Sequence, residues 1–256
     1  MAITLNLVAS AISNAGVDAY ASITASGIGG TNGNLMVLMG FVNAKTTVVG
    51  HINTSITGTW SGTWTLQAQC YRDTTSSGQY AELVEIWTSP ISGSPSGTVI
   101  YNNPATGFSD GWIGFRLYEI SGQNASPIGL AANGTSIVSS STFTIDFGAT
   151  PASDSLVIGI VHDDNQTGPA VNPPSGWTEE YEASPSWGAI TEWAYQNGGA
   201  SQTAQWSGFT NSASVRLLGC GLEIKAAGGG SSPIYEDDSF YPSASLVNVP
   251  LVGVWG

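Results

Sequence analysis

The chain has 256 residues, enough for one large domain or two small ones with a real core. Hydrophobic residues make up 41%, which excludes wholesale disorder, while charged residues reach only 9% against about 25% in an ordinary globular protein. The net charge of −13 repels phosphates, which argues against nucleic acid and anionic membrane surfaces as partners. So few Lys, Glu and Arg leave little material for solvated helix faces, whereas Thr, Val, Ile, Trp and Tyr suit strands. An all-β protein is expected.

The opening Met1-Ala-Ile-Thr-Leu-Asn6 has neither the basic nor the apolar stretch of a signal peptide, so folding in a cytoplasm is expected. Residues 3–26 alternate loosely through Ile3, Leu5, Leu7, Tyr20 and Ile23 and read as one or two strands. Ser26-Gly-Ile-Gly-Gly-Thr-Asn-Gly-Asn34 reads as a loop; no helix follows its glycines, so it is no phosphate cradle. The longest apolar run, Leu35 to Val42, is about half of what a membrane span needs.

From Leu35 the chain repeats itself. Leu35-Met-Val-Leu-Met-Gly-Phe-Val is answered by Leu156-Val-Ile-Gly-Ile-Val, and Gly62-Thr-Trp64-Thr by Gly176-Trp177-Thr178. Glu85-Ile-Trp87 is answered by Thr191-Glu-Trp193, and Leu117-Tyr-Glu119-Ile by Gly221-Leu-Glu223-Ile. Each half reads as a buried strand, a Gly-Trp-Thr strand, a Trp-bearing strand and a closing strand, punctuated by Gly, Pro, Asn and Ser turns. The expectation is an antiparallel two-sheet β-sandwich, jelly-roll-like, over residues 1–226, its two related halves intercalated around one core. Residues 227–232 form a Gly/Ser linker. Residues 233–256 are too few for a core of their own, yet they carry Leu246, Val247, Val249, Leu251, Val252, Val254 and Trp255. That apolar surface predicts an extended arm that binds a partner subunit, by adding a strand to a free sheet edge. Pro250 restricts which edge, since it cannot donate to a ladder.

Chemistry-bearing residues are sparse. Cys70 and Cys220 sit in apolar strand-like contexts and read as buried free thiols, with a Cys70–Cys220 bridge as the alternative. His51 reads as a structural histidine, and neither it nor His162 adjoins a nucleophile signature. His162-Asp163-Asp164-Asn165 reads as a solvated loop at a sheet edge; the alternative is Ca²⁺ held by Asp163 and Asp164 through oxygens. Paired carboxylates hydrolyse glycosides, and Glu82, Glu85, Glu119, Glu192 and Glu223 are the candidates. Glu119 and Glu223, however, occupy matching places in the two halves, which points to a structural role. Nine Trp, nine Tyr and seven Phe furnish the core, and one or two exposed indoles suffice to stack on a sugar ring. Trp60 and Trp187, beside Ser, Gly and Pro turns, are the candidates for that. No catalytic residue and no cofactor is expected.

Five stretches carry a family resemblance: Asn34-Leu-Met-Val-Leu-Met, Glu82-Leu-Val-Glu-Ile-Trp-Thr-Ser-Pro90, Ser96-Gly-Thr-Val-Ile, Gly114-Phe-Arg-Leu-Tyr-Glu-Ile-Ser-Gly122 and Asp154-Ser-Leu-Val-Ile-Gly. Over residues 20–226 the pattern resembles a jelly-roll-like β-sandwich domain of bacteriophage virion structural proteins and bacterial surface proteins. It departs in having Gly58-Thr-Trp-Ser-Gly62 where a Gly-Gly turn is usual. The resemblance implies a non-enzymatic virion component, assembled in the host cytoplasm and displayed on the head or in a tail or fibre. Its partners would be other virion proteins and further copies of itself. A glycan-binding adhesin module for host attachment is the alternative.

Overall fold

The computed structural model describes residues 2–13, 22–46, 52–72, 80–103, 108–134, 137–138, 140–163, 170–184, 189–209 and 216–228. All regular structure among them is antiparallel β-sheet, in sixteen strands. The first half contains β1 (Thr4–Ile12), β2 (Ser22–Gly29), β3 (Leu35–Thr46), β4 (Ser55–Thr57), β5 (Thr65–Arg72), β6 (Tyr80–Pro90), β7 (Ser96–Asn102) and β8 (Phe108–Ser121). The second contains β9 (Gln123–Asn133), β10 (Ile137–Val138), β11 (Thr142–Asp146), β12 (Leu156–Asp163), β13 (Thr178–Ala183), β14 (Ile190–Asn197), β15 (Thr203–Ser207) and β16 (Arg216–Ala226).

The repeat seen in the sequence is a repeat of topology. In the first half, β1-β8-β3-β6-β5 make a large sheet and β2-β7-β4 a small one. In the second, β9-β16-β12-β14-β13 repeat the large order, with the short β10 also on β16, and β11-β15 repeat the small one. An isolated bridge between Asn172 and Ser207 stands where β4 stands in the first half. Even the irregularities match: β5 slips register against β6 between Leu66 and Ala68, and β13 against β14 between Glu179 and Tyr181. The register also refines one motif pairing. Glu85 lies opposite Gly40 and Glu192 opposite Val161, so Trp193 corresponds to Ile86, and Trp87 to Ala194.

Alternation along the strands assigns every layer. In β3, Leu35, Val37, Met39 and Phe41 face one way and Met36, Leu38 and Val42 the other, and both faces are buried. β12 does the same with Leu156, Ile158 and Ile160 against Val157 and Val161. A strand covered on both faces needs apolar side chains at every position, which is why these segments read as unbroken hydrophobic runs. Three cores result. One lies between the large and small sheets of the first half, around Leu38, Leu83, Tyr101 and Phe115. Its counterpart in the second half gathers Phe143, Phe147, Val157 and Trp206. The third, between the two large sheets, draws on both halves: Phe41, Val84, Trp112 and Tyr118 meet Ile158, Ile160, Trp193 and Leu222.

The β-sandwich and its two related halves are therefore present, and a core shared between the halves is present too. Intercalation is not: among the described residues no ladder joins a strand of one half to a strand of the other. Each half supplies its own small sheet to cover one face of its large sheet, and only the other face remains to be covered by the sister half. The halves are stacked, giving four β layers. Gly122 makes the passage between them, joining β8 to β9 in a left-handed conformation (φ 78°) where a Cβ would lie 2.4 Å from the Ala2 carbonyl oxygen. The end of the second half returns to this point, with Ala227 N donating to Gly122 O at 2.7 Å.

Candidate functional site

The five glutamates weighed as catalytic carboxylates fall into structural sets. Glu119 on β8 accepts hydrogen bonds from Thr31 N (2.9 Å) and Asn34 Nδ2 (2.6 Å), which fastens the loop entering β3. Glu223 on β16 accepts from Leu130 N (2.9 Å) and Ala152 N (2.8 Å), which fastens the loop before β12. Desolvation pushes both carboxyls up, but the donors outweigh it and hold both below the ordinary value. Glu85 and Glu192, a second matched pair, lie inside the two outer cores, each beside an aromatic residue of the small sheet. Tyr101 stands against Glu85, which also accepts from Thr54 Oγ1 at 2.5 Å. Trp206 Nε1 donates to Glu192 Oε1 at 3.2 Å. Burial, with the negative charges of Glu179 and Glu182 beside it, pushes the Glu192 carboxyl up to about 8. Glu82 is fully buried and paired to Arg72 at 2.8 Å.

His162 departs from the sequence expectation. It is a fully buried residue of β12, on the face shared between the halves. The strand runs one turn of the pleat further than the Asp-Asp-Asn sequence suggests, and its parity sets His162 beside Ile158 and Ile160. Asn43 Nδ2 lies 3.0 Å from His162 Nε2, and Thr191 Oγ1 lies 2.8 Å from Nδ1. Phe41 stacks on the imidazole at 5.9 Å between centroids and 16° between planes. Thr191, His162 and Asn43 are thus connected like a nucleophile, a base and its orienting residue. All three are 0% exposed, sealed between sheets, so no substrate reaches the hydroxyl.

Asp163, the next residue, is also fully buried and points to the opposite face, which corrects its reading as part of a solvated loop. Asp164, Trp187, His51 and the arm residues Leu246, Val247, Val249, Leu251, Val252, Val254 and Trp255 lie outside the described residues. Among the described residues no three His, Cys, Asp or Glu side chains are arranged to hold a metal ion. Cys70 and Cys220 are free and buried; desolvation pushes the Cys70 thiol up to about 11 and that of Cys220 well above its ordinary value.

Trp60 is not the exposed platform expected of it. Only 7% of it is accessible, its Nε1 donates to Ser89 Oγ at 3.2 Å, and it packs against the first-half core. Turn residues beside a tryptophan say where the chain reverses, not where the ring points. It is instead one wall of a groove of about 310 Å³ lined by Ser55, Ile56, Thr57, Gly58, Trp60, Gly62, Trp64 and Trp87. Trp64 and Trp87 are half-buried there, and Thr57 stands exposed at the rim. The sequence reading did not single out Trp87; its one signal was an indole in a strand whose neighbours are all buried. A second groove, about 380 Å³, runs along β11 between Asn133, Ser140, Thr142, Phe143, Thr144 and Asp146. None of the five glutamates lines either groove.

Fold and sites together define a class: a duplicated, four-layer antiparallel β protein with an indole-lined groove on its first half. Comparison with protein-family models, with curated proteins and with solved structures gives no match.

Proposed function

We propose that this chain is a non-enzymatic structural protein of a bacteriophage particle, displayed on the head or in the tail or a fibre. Its neighbours would be other virion proteins and further copies of itself, reached through the arm at residues 233–256. The observation that supports this best is the use made of the buried polar side chains. Glu119 and Glu223 hold loops, Glu85 and Glu192 sit between layers, and Asn43 with His162, and Arg116 with Glu180, tie one half to the other. Such a body suits a display scaffold: rigid, low in charge and held together from within. The resemblance carried by Asn34-Leu-Met-Val-Leu-Met and Gly114–Gly122 points the same way. Mass spectrometry of purified particles tests the reading, and the protein should be a stoichiometric component. Deleting residues 233–256 should leave a folded protein that no longer enters particles; absence of the full-length chain from every particle fraction, or normal incorporation of the truncated one, ends the proposal.

The adhesin reading gains support from the groove between Trp60, Trp64 and Trp87, which offers aromatic faces and hydroxyls together.

A further inference from the structure

Among the described residues, the indoles that line the first-half groove do not all recur in the second half, and that difference is informative. Trp64 has a counterpart in Trp177, since Thr65 and Thr178 hold the same register place on β5 and β13. Trp177 is occupied otherwise, packed edge-on against Trp206 at 5.3 Å. Trp87 corresponds to Ala194, and the segment leading into Trp177, Asn172-Pro-Pro-Ser-Gly, has no indole to match Trp60. Features that hold the scaffold recur in both halves: the two glutamate pairs, the slipped register, the layer order. Trp60 and Trp87 do not recur, so the second half is built without their counterparts.

The groove's chemistry selects its occupant. Trp60 is fixed, its ring edge held by Ser89, and Gly62 gives it room, since a Cβ there would lie 2.1 Å from Ser89 Oγ and 2.5 Å from the Trp60 Nε1. Trp87, which lines the groove, has a buried Nε1 that donates to no protein acceptor. Thr57 Oγ1 accepts from Asn102 Nδ2 at 2.8 Å, which leaves its own proton to donate, and Ser55 adds a second hydroxyl. Among the described residues no charged side chain lines the groove, although the chain carries −13. A cation would meet N–H and O–H donors, and an anion the field of an acidic protein. A pyranose ring matches every feature: axial C–H groups for an indole face, hydroxyl oxygens for the donors, and no charge. The volume is at the small end of the range for ligand sites, about 300–1,000 Å³, which fits one sugar residue.

We infer that this groove binds a neutral pyranose, a single sugar unit or the end of a chain, against Trp64 and Trp87. The inference does not depend on the particle assignment, since sugar binding and incorporation into particles are measured separately. The full chain is titrated with methyl β-D-glucopyranoside, methyl β-D-galactopyranoside and N-acetyl-D-glucosamine, with choline and glucuronate as charged probes, read by saturation-transfer NMR. At least one neutral sugar should bind with a dissociation constant of about 1 mM, ordinary for a ligand of about twelve heavy atoms. Trp64→Ala should weaken binding about tenfold or more. Trp87→Phe, which keeps a ring and removes the donor, should weaken it several-fold, whereas Trp177→Ala should leave it unchanged. Thr57→Arg, on the exposed rim, carries the test if Trp64→Ala does not fold, and should also weaken binding about tenfold. The inference is overturned if no neutral sugar binds up to about 50 mM, if choline or glucuronate binds in their place, or if Thr57→Arg leaves sugar binding intact.

Discussion

Glu192 makes the stability of this protein depend on pH in the direction opposite to most carboxylates. It is fully buried between the large and small sheets of the second half, and its Oε2 has no hydrogen-bond partner in the protein. Glu182 pairs with it in register across β13 and β14, and Glu179 also faces it with negative charge. Desolvation first, and those charges second, raise its pKa from an ordinary 4.5 to about 8. In the unfolded chain the proton leaves near 4.5; in the folded protein it stays until about 8. Across that window the unfolded state binds fewer protons, so stability falls as pH rises, by about 1.4 kcal/mol per pH unit and about 5 kcal/mol in all. Above the folded value the loss levels off. Glu192→Gln keeps an oxygen for Trp206 Nε1 and cannot ionise. Urea unfolding of both proteins between about pH 5 and about pH 9 isolates the effect, because every other titrating group cancels in the difference. The two should be of similar stability at the acid end, with the variant more stable by several kcal/mol at the alkaline end. Parallel stability curves would refute the argument that this carboxyl is held protonated.

Three further outcomes follow from the same geometry. Glu119 and Glu223 have lowered pKa values, so their contribution is present above the ordinary 4.5 and is lost as pH falls through the folded values; Glu223→Ala should remove it at neutral pH at a cost of about 3 kcal/mol in urea unfolding, and an unchanged midpoint contradicts the loop-holding role. Gly159→Ala would set a Cβ 2.7 Å from Trp206 Cη2 and should destabilise by about 1–3 kcal/mol, with Gly40→Ala behaving alike against Tyr101 at 2.8 Å; a neutral result at both means the small sheets yield more readily than their packing implies. Residues 2–122 expressed alone keep their outer core but expose Val37, Met39, Phe41, Val84 and Trp112; the product should self-associate or bind hydrophobic dye, and a soluble, dye-free monomer on size-exclusion chromatography refutes the need for the sister half.

What could be read in the sequence was what packing imposes on side chains. Leu156-Val-Ile-Gly-Ile-Val announces a strand covered on both faces because no position there tolerates a charge. The matched Glu119 and Glu223 were legible as structural because a catalytic residue has no reason to recur in both halves. The first strands of each half were not legible as a repeat. β1, Thr-Leu-Asn-Leu-Val-Ala-Ser-Ala-Ile, and β9, Gln-Asn-Ala-Ser-Pro-Ile-Gly-Leu-Ala-Ala-Asn, share no motif. They take equivalent edge places beside β8 and β16 through backbone hydrogen bonds, which leave no mark on residue type. The place of His162 is hidden for another reason. Counting the pleat from Ile158 and Ile160 puts it on the inner face, but the acidic residues after it have the composition of a loop.

The stacking of two apolar sheets raises the question of what fixes their alignment, since hydrophobic burial alone is indifferent to a slide of one residue. The answer lies where equivalent positions of the two halves meet. Phe41 of β3 and His162 of β12 hold the same place in their respective sheets and stack on each other. Two copies with identical residues there would place phenylalanine on phenylalanine, a contact with no polar direction. The second half has histidine instead, and its two ring nitrogens face Asn43 of the other half and Thr191 of its own. Two more polar ties cross the same interface: Trp193 Nε1 donates to Met39 O at 3.2 Å, and Arg116 Nη2 to Glu180 Oε1 at 2.8 Å. A slide by one residue breaks all three and strands their partners in an apolar layer, at about 1–3 kcal/mol for each group left unpaired. The apolar faces thus supply the attraction, and a few buried hydrogen bonds select one register from the many that burial alone would accept.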